Sequence, residues 1–189
     1  VLRKADEEIQ AGSAGVGPQG EADQEELTYN NEQALFEREI NRRVEVAIQA
    51  NHSNNIEEAD IAREAAQDKN RPLVCLGPPG TGKTTVVLQC IKEALAKGAR
   101  VLFALPTAQL ASRMRSKLGT LPNLEIDTCH AAFKLDSEES ESFPLTTPYA
   151  LVIVDEPSLL DQPQFARLLL LWHTADKLPA LVVPGAQWQ

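Results

Sequence analysis

Gly77-Pro78-Pro79-Gly80-Thr81-Gly82-Lys83-Thr84 constrains this chain more than any other stretch of its sequence. The run fits G-x-x-x-x-G-K-[ST] at every fixed position. Its flanks are those the motif needs. An apolar, strand-like run, Leu73-Val74-Cys75-Leu76, leads in, and a helical pattern from Thr84 to Lys97 leads out. Glycines let backbone N–H groups close round an anion with no Cβ in the way. A helix beginning at that point aims the positive end of its dipole at the same anion. A Gly/Pro-rich turn between strand and helix is the plainer alternative, and the complete motif in this context argues against it.

From Arg71 onward the pattern alternates between strand and helix. Strands are expected at 72–76, 100–105, 123–127, 150–154 and 180–184, and helices at 83–97, 108–118 and about 158–174. Such alternation predicts an α/β fold, a parallel sheet with helices on both faces. Ahead of it, Asn30 or Asn31 can cap a helix from Glu32 to about Ala50. Leu35, Phe36, Ile40, Val44 and Ile48 recur along it at three- and four-residue steps. A second, more polar helix is expected from Ile56 to Asp68. The organisation read from this is a polar segment at 1–30 expected to be disordered, a helical segment at 31–70, and an α/β domain at 71–189. Leu135 to Thr147 is acidic, serine-rich and loop-like. The chain opens on Val1 and ends just past a strand-like run, so a piece of a longer protein is expected.

The net charge of -9 is unevenly spread. Residues 1–70 hold 7 Lys and Arg against 16 Asp and Glu, whereas residues 71–189 hold 11 of each sign. A basic footprint for nucleic acid must therefore be local. No apolar run approaches the length of a membrane span, and no cationic, apolar leader opens the chain. Cys75, Cys90 and Cys129 are odd in number and lack metal-ligand spacing. They read as buried reduced thiols, which points to an intracellular, reducing compartment and away from secretion. That means nucleus or mitochondrion in a eukaryote, cytoplasm in a bacterium.

Leu151-Val152-Ile153-Val154-Asp155-Glu156 supplies a second part of the same site. Continuous β-branched and apolar residues mark a strand buried on both faces. Ligands in such sheets bind beyond the carboxyl ends of the strands. The expected ligand is ATP with Mg2+. Gly77 to Thr84, together with Thr85, would form its cradle, with Lys83 on the β- and γ-phosphates. The Thr84 hydroxyl and Asp155 would hold the metal, and Glu156 would polarise the attacking water.

Four further segments narrow the class. Asp155-Glu156-Pro157-Ser158-Leu159-Leu160 resembles motif II, D-E-x-S-[ML]-[LIV], of RecD/Pif-like superfamily 1 DNA helicases. Ala104-Leu105-Pro106-Thr107-Ala108-Gln109-Leu110-Ala111 resembles their motif Ia. Thr128-Cys129-His130-Ala131-Ala132-Phe133 resembles their T-x-H-x-x-F segment. Val182 to Gln189 resembles motif III, usually G-D-x-x-Q, with Ala186 standing where the family has Asp. The order of all four matches, over about residues 30–189.

The resemblance implies the first RecA-like motor domain of such a helicase, a P-loop NTPase moving on single-stranded DNA, with RNA not excluded. It implies a second RecA-like domain that this chain lacks, and from which the phosphate-stabilising arginine would come. It puts Pro106 and Thr107 on the single-strand track with His130 nearby. His130 alternatively serves as a satisfied structural histidine. Gln189 would sense the γ-phosphate. Gln33 resembles the family's adenine-reading glutamine across a longer gap than usual, and an exposed helix glutamine is the alternative. Arg113, Arg115 and Lys117 form either a basic contact surface or a solvated helix face. Trp172 and Phe165 are expected in the core. Two rival readings are an AAA+ ATPase, which shares the phosphate loop, and a degenerate nucleotide-binding remnant.

Overall fold

Five parallel strands in the order β1-β5-β4-β2-β3 form the centre of the molecule. The structure is a computed structural model that describes residues 30–52, 71–78, 80–135, 149–175 and 178–185. The second helix expected at 56–68, the segment 1–29, nearly all of the acidic loop, Pro79 and residues 186–189 lie outside the described residues. The elements are α1 (Asn31–His52), β1 (Leu73–Leu76), α2 (Lys83–Ala96), β2 (Val101–Leu105), α3 (Ala108–Leu118), β3 (Leu124–Thr128), α4 (Cys129–Phe133), β4 (Leu151–Val154), a 3₁₀ turn (Pro157–Leu159), α5 (Gln162–His173) and β5 (Ala180–Gly185). The strands and helices expected within the described residues are present, within a residue or two, with one exception.

That exception is the helix expected at about 158–174. It is two pieces, the 3₁₀ turn and α5, separated at Leu160 and Asp161. Asp161 accepts from Gln164 N at 2.7 Å, and Gln164 Oε1 accepts from Asp161 N at 3.4 Å. This reciprocal cap, with Pro163 in the first turn, starts a new helix instead of continuing an old one. The T-x-H-x-x-F segment also contains a short helix, α4, capped by Thr128, whose Oγ1 accepts from Ala131 N at 3.1 Å.

The central strands β2, β4 and β5 are apolar throughout, yet alternate residues belong to different cores, because a pleated strand points successive side chains to opposite faces. Val101, Phe103, Leu105, Leu151, Ile153 and Val182 pack with α1, α2 and α3. Leu102, Ala104, Val152, Val154, Leu181 and Val183 pack with α4 and α5. This is the α/β arrangement of a RecA-like P-loop fold, with helices on both faces and a helix ahead of the sheet.

Helix α1 belongs to the first of those cores. Ile40, Val44 and Ala47 are buried, and Phe36 and Ile48 pack beside them. Leu35 does not join them and is 65% exposed. It sits about 100° round the helix from Phe36, off the buried stripe. Asn41 Nδ2 donates to Glu93 Oε2 at 2.6 Å, tying α1 to α2. On the opposite face Trp172 is buried, and its indole Nε1 donates to Pro179 O at 2.8 Å. Phe165 is only partly buried at the margin of that cluster. Among the described residues no helix is long and apolar enough to cross a membrane.

Cys90 and Cys129 are buried free thiols, as expected, but Cys75 is only half-buried. Burial pushes both Cys90 and Cys129 up to about 12, with Glu93 and Glu37 adding to the effect at Cys90 and Asp155 adding to it at Cys129. The thiolate is the nucleophile, so these two side chains are inert near neutral pH. Iodoacetamide at pH 8, followed by mass spectrometry, is expected to modify Cys75 first. Cys90 and Cys129 are expected to react only as the protein unfolds.

Candidate functional site

The phosphate-loop sequence forms the connection between β1 and α2. Gly82 is the N-cap of α2 at φ 79°, in the left-handed region that favours glycine. A Cβ there would lie 2.4 Å from Gln33 Nε2, so the Gln33 carboxamide would have to move from its place against the loop. Gly82 has no side chain to cap the helix, so the first N–H groups of α2 remain for an anion. Thr84 and Thr85 are exposed in that first turn. Lys83 folds back into the loop. Its Nζ donates to Gly77 O at 2.7 Å, Pro78 O at 2.9 Å and Thr81 Oγ1 at 3.3 Å, which uses all three ammonium protons.

Gln33 reaches this loop from α1. It forms a capping box with Asn30: Gln33 N donates to Asn30 Oδ1 at 2.8 Å, and Asn30 N donates to Gln33 Oε1 at 2.9 Å. Its Nε2 donates to Thr81 O at 3.0 Å. Asn30, rather than Asn31, is therefore the cap, and Gln33 is a loop contact rather than a free helix side chain. A cleft of about 260 Å³ opens beside them, lined by Gln33, Phe36, Cys75, Gly77, Thr81 and Lys83, among others.

Parallel pairing brings the second half of the site to the same edge. Asp155 and Glu156 follow β4, which is separated from β1 by β5 alone. Asp155 N donates to Ala104 O at 3.1 Å, which ties the carboxylate pair to the end of β2. Glu156 N donates to Pro184 O and to Asp155 Oδ1, each at 3.1 Å. Glu156 sits at φ 48° and ψ 54°, a left-handed conformation that is rare for a residue with a side chain.

Burial pushes the Asp155 carboxyl up to about 6, and the Glu156 charge adds to the effect. The Glu156 backbone N–H and the Lys83 charge act in the opposite direction and are outweighed. Asp155 takes part in no ion pair among the described residues. Its ionised form is therefore under-compensated, which suits a hard divalent cation. Mg2+ prefers oxygen ligands, keeps several waters, and commonly takes only one or two carboxylates beside phosphate oxygens. Asp155 and the Thr84 hydroxyl fit that donor set.

The segments placed on a single-strand track end at the same edge. Leu105 of β2 is in register with Thr128 of β3, so Pro106-Thr107 and the T-x-H segment emerge side by side. Thr107 is exposed and caps α3, its Oγ1 accepting from Leu110 N at 3.3 Å. His130 Nε2 lies 2.9 Å from Gln164 Nε2, which binds α4 to α5. Phe133 is fully buried and so offers no face for stacking. Arg113 and Lys117 are exposed. Arg115 is committed elsewhere, with Nε on Ile126 O at 2.8 Å and Nη2 on Asp127 at 3.1 Å. The basic row is thus two open cations and one structural guanidinium. Pro79 and Gln189 lie outside the described residues.

Sequence reasoning missed two participants. One is the Asn30–Gln33 box, which the N-x-x-Q spacing could have signalled. The other is the pair of backbone contacts by which Pro184 and Gly185, at the end of β5, touch both halves of the site: the motif III resemblance marked the segment but not these contacts.

A family model described as an AAA domain, of the P-loop, helicase-like kind, matches residues 58–185, more than half of the chain. No curated protein matches it.

The Asp155 shift fixes the sign of a pH effect. Its folded pKa lies above its ordinary value of 3.8, so between about 4 and 6 the folded state holds the proton more tightly. Stability therefore falls as pH rises through that window, by on the order of 2–3 kcal/mol for a shift of about two units. Asp155→Asn is expected to raise the unfolding midpoint at pH 7.5 and to give no gain at pH 3.5. Urea denaturation at the two pH values measures both.

Proposed function

The chain belongs to the AAA domain family, and on that basis we propose that it is the ATP-hydrolysing motor domain of a RecD/Pif-like superfamily 1 DNA helicase. The observation carrying the nucleotide part is one sheet edge that holds both Lys83 in a glycine-rich loop and an under-compensated, half-buried Asp155. The helicase part rests on four ordered sequence segments, of which motif Ia and the T-x-H segment leave adjacent strands together.

In this reading the backbone N–H groups of residues 77–84 and the Lys83 ammonium bind the phosphates. Lys83 exchanges its contacts with Gly77 O and Pro78 O for phosphate oxygens. Thr84 and Asp155 hold Mg2+, which supplies charge neutralisation when bound. Glu156 takes the proton of the attacking water, and its fixed backbone sets the direction from which it does so. Gln189 is the γ-phosphate sensor. Gln33 sits where it contributes to the nucleotide pocket. Pro106, Thr107 and His130 belong to the strand track. Single-stranded DNA is the proposed partner, with a second RecA-like domain completing the site.

Among the described residues no arginine lines the cleft beside the loop. An arginine on the transferring phosphoryl group is worth about 10³- to 10⁵-fold in rate. The chain is therefore expected to bind Mg-ATP well and to turn it over slowly by itself.

The deciding experiment measures phosphate release by the full-length parent protein, with and without single-stranded DNA, beside a Lys83→Ala control. DNA-stimulated turnover that disappears in the control is the expected result. Turnover indifferent to DNA, with ring assembly by light scattering, would move the reading to an AAA+ ATPase. Nucleotide binding without any turnover would make the chain a non-motor remnant.

A further inference from the structure

Strand β5 ends where the two halves of the site meet. Gly185 O accepts from Gly77 N at 3.3 Å, and Pro184 O accepts from Glu156 N at 3.1 Å. One strand end thus touches the first residue of the phosphate loop and the backbone of the proposed base.

Gly185 does not take a left-handed φ, so conformation alone does not call for glycine there. Space does. A Cβ at Gly185 would lie 2.8 Å from Pro157 Cδ and 3.4 Å from Pro157 Cγ, with Glu156 Cα at 3.9 Å. Real Cβ atoms essentially never approach to 2.8 Å, so something would have to shift. Pro157 cannot swing aside as a flexible side chain would. Its ring is closed on the backbone, it is buried, and it opens the 3₁₀ turn.

What would shift is the backbone that aims Glu156. The left-handed conformation of Glu156 is unfavourable for a residue with a side chain and persists only when its surroundings determine it. Three restraints do so. A residue before proline is disfavoured in the right-handed helical region. Glu156 N is held by Pro184 O, and Glu156 O accepts from Leu159 N at 3.1 Å. The second comes from the end of β5 itself, and the other two belong to the Pro157 turn against which that strand end docks.

We propose that Gly185 is a positioning residue for Glu156: its missing side chain lets β5 dock on the Pro157 ring and so fixes the direction of the Glu156 carboxylate. This rests on the reading of Glu156 as the base that activates water.

The test is a double-mutant cycle, Gly185→Ala in the wild-type chain and in a Pro157→Ala chain. Three quantities are read for each: phosphate release at saturating Mg-ATP, affinity for a non-hydrolysable ATP analogue, and melting temperature. In the wild-type chain Gly185→Ala is expected to slow turnover roughly tenfold or more, as misplacement of a reacting group does. Analogue affinity should stay within about threefold, since the phosphate contacts are made elsewhere. With the ring removed, the same substitution should cost less than about twofold. An equal penalty in both backgrounds overturns the proposal. So does a loss that falls on affinity, which would assign Gly185 to the phosphate loop through Gly77. If Gly185→Ala alone does not fold, the double variant is compared with Pro157→Ala: a folded double variant of equal turnover supports the proposal, and an unfolded one overturns it. Absence of Lys83-dependent turnover in the wild-type chain is a failure of the nucleotidase reading instead. The steric part is then still decided by melting temperature, which should drop with Gly185→Ala only when Pro157 is present.

Discussion

Parallel pairing of β5 between β1 and β4 is the constraint on which the rest depends. It sends the carboxyl ends of all three strands to one edge. Strands lie about 4.7–4.9 Å apart, so the phosphate loop after β1 and the carboxylates after β4 are held roughly 10 Å apart across β5. Lys83 acts electrostatically on Asp155 across that gap. A slip in the register of β5 would move Pro184 and Gly185 away from Glu156 and Gly77 together, because both hydrogen bonds come from successive residues of one strand.

The rigidity of that frame has a simple source. The three central strands, β2, β4 and β5, are buried on both faces, with alternate side chains in two separate helix-covered cores. Neither core can relax without disturbing the sheet they share. Against this frame the site can hold unfavourable features: a partly desolvated carboxyl with no ion pair among the described residues, and a left-handed glutamate. Such features are stable only where surrounding packing outweighs them, and they concentrate at functional sites. A bound divalent cation would offset the first. The second is maintained by covalent and steric means, a proline ring on one side and a glycine backbone on the other.

Helix α1 links the frame to the loop. Its buried stripe packs on α2, while its first turn delivers Gln33 to Thr81 and Gly82. The geometry of the phosphate loop therefore depends on a helix turn 48 residues upstream of Thr81, and the carboxamide of Gln33 serves a helix cap and a loop contact at once.

Much of this was legible in the sequence, because its signals are local. The phosphate loop is a contiguous run, and strand–helix alternation is a matter of period, so the parallel α/β fold, the strand positions and the placement of Lys83 and Asp155 at a strand edge followed directly. Local signals also misled where one element was really two: an apolar run hid the break at Leu160–Asp161, and Leu35 counted as apolar without lying on the buried stripe. Only tertiary structure decided the rest. Whether Arg115 meets solvent or Asp127, whether Gln33 lies free or against Thr81, and why residue 185 must lack a side chain all depend on which strand lies beside which. That information resides in contacts between residues far apart in the chain, and no local pattern of residue types encodes a 2.8 Å approach to a proline ring.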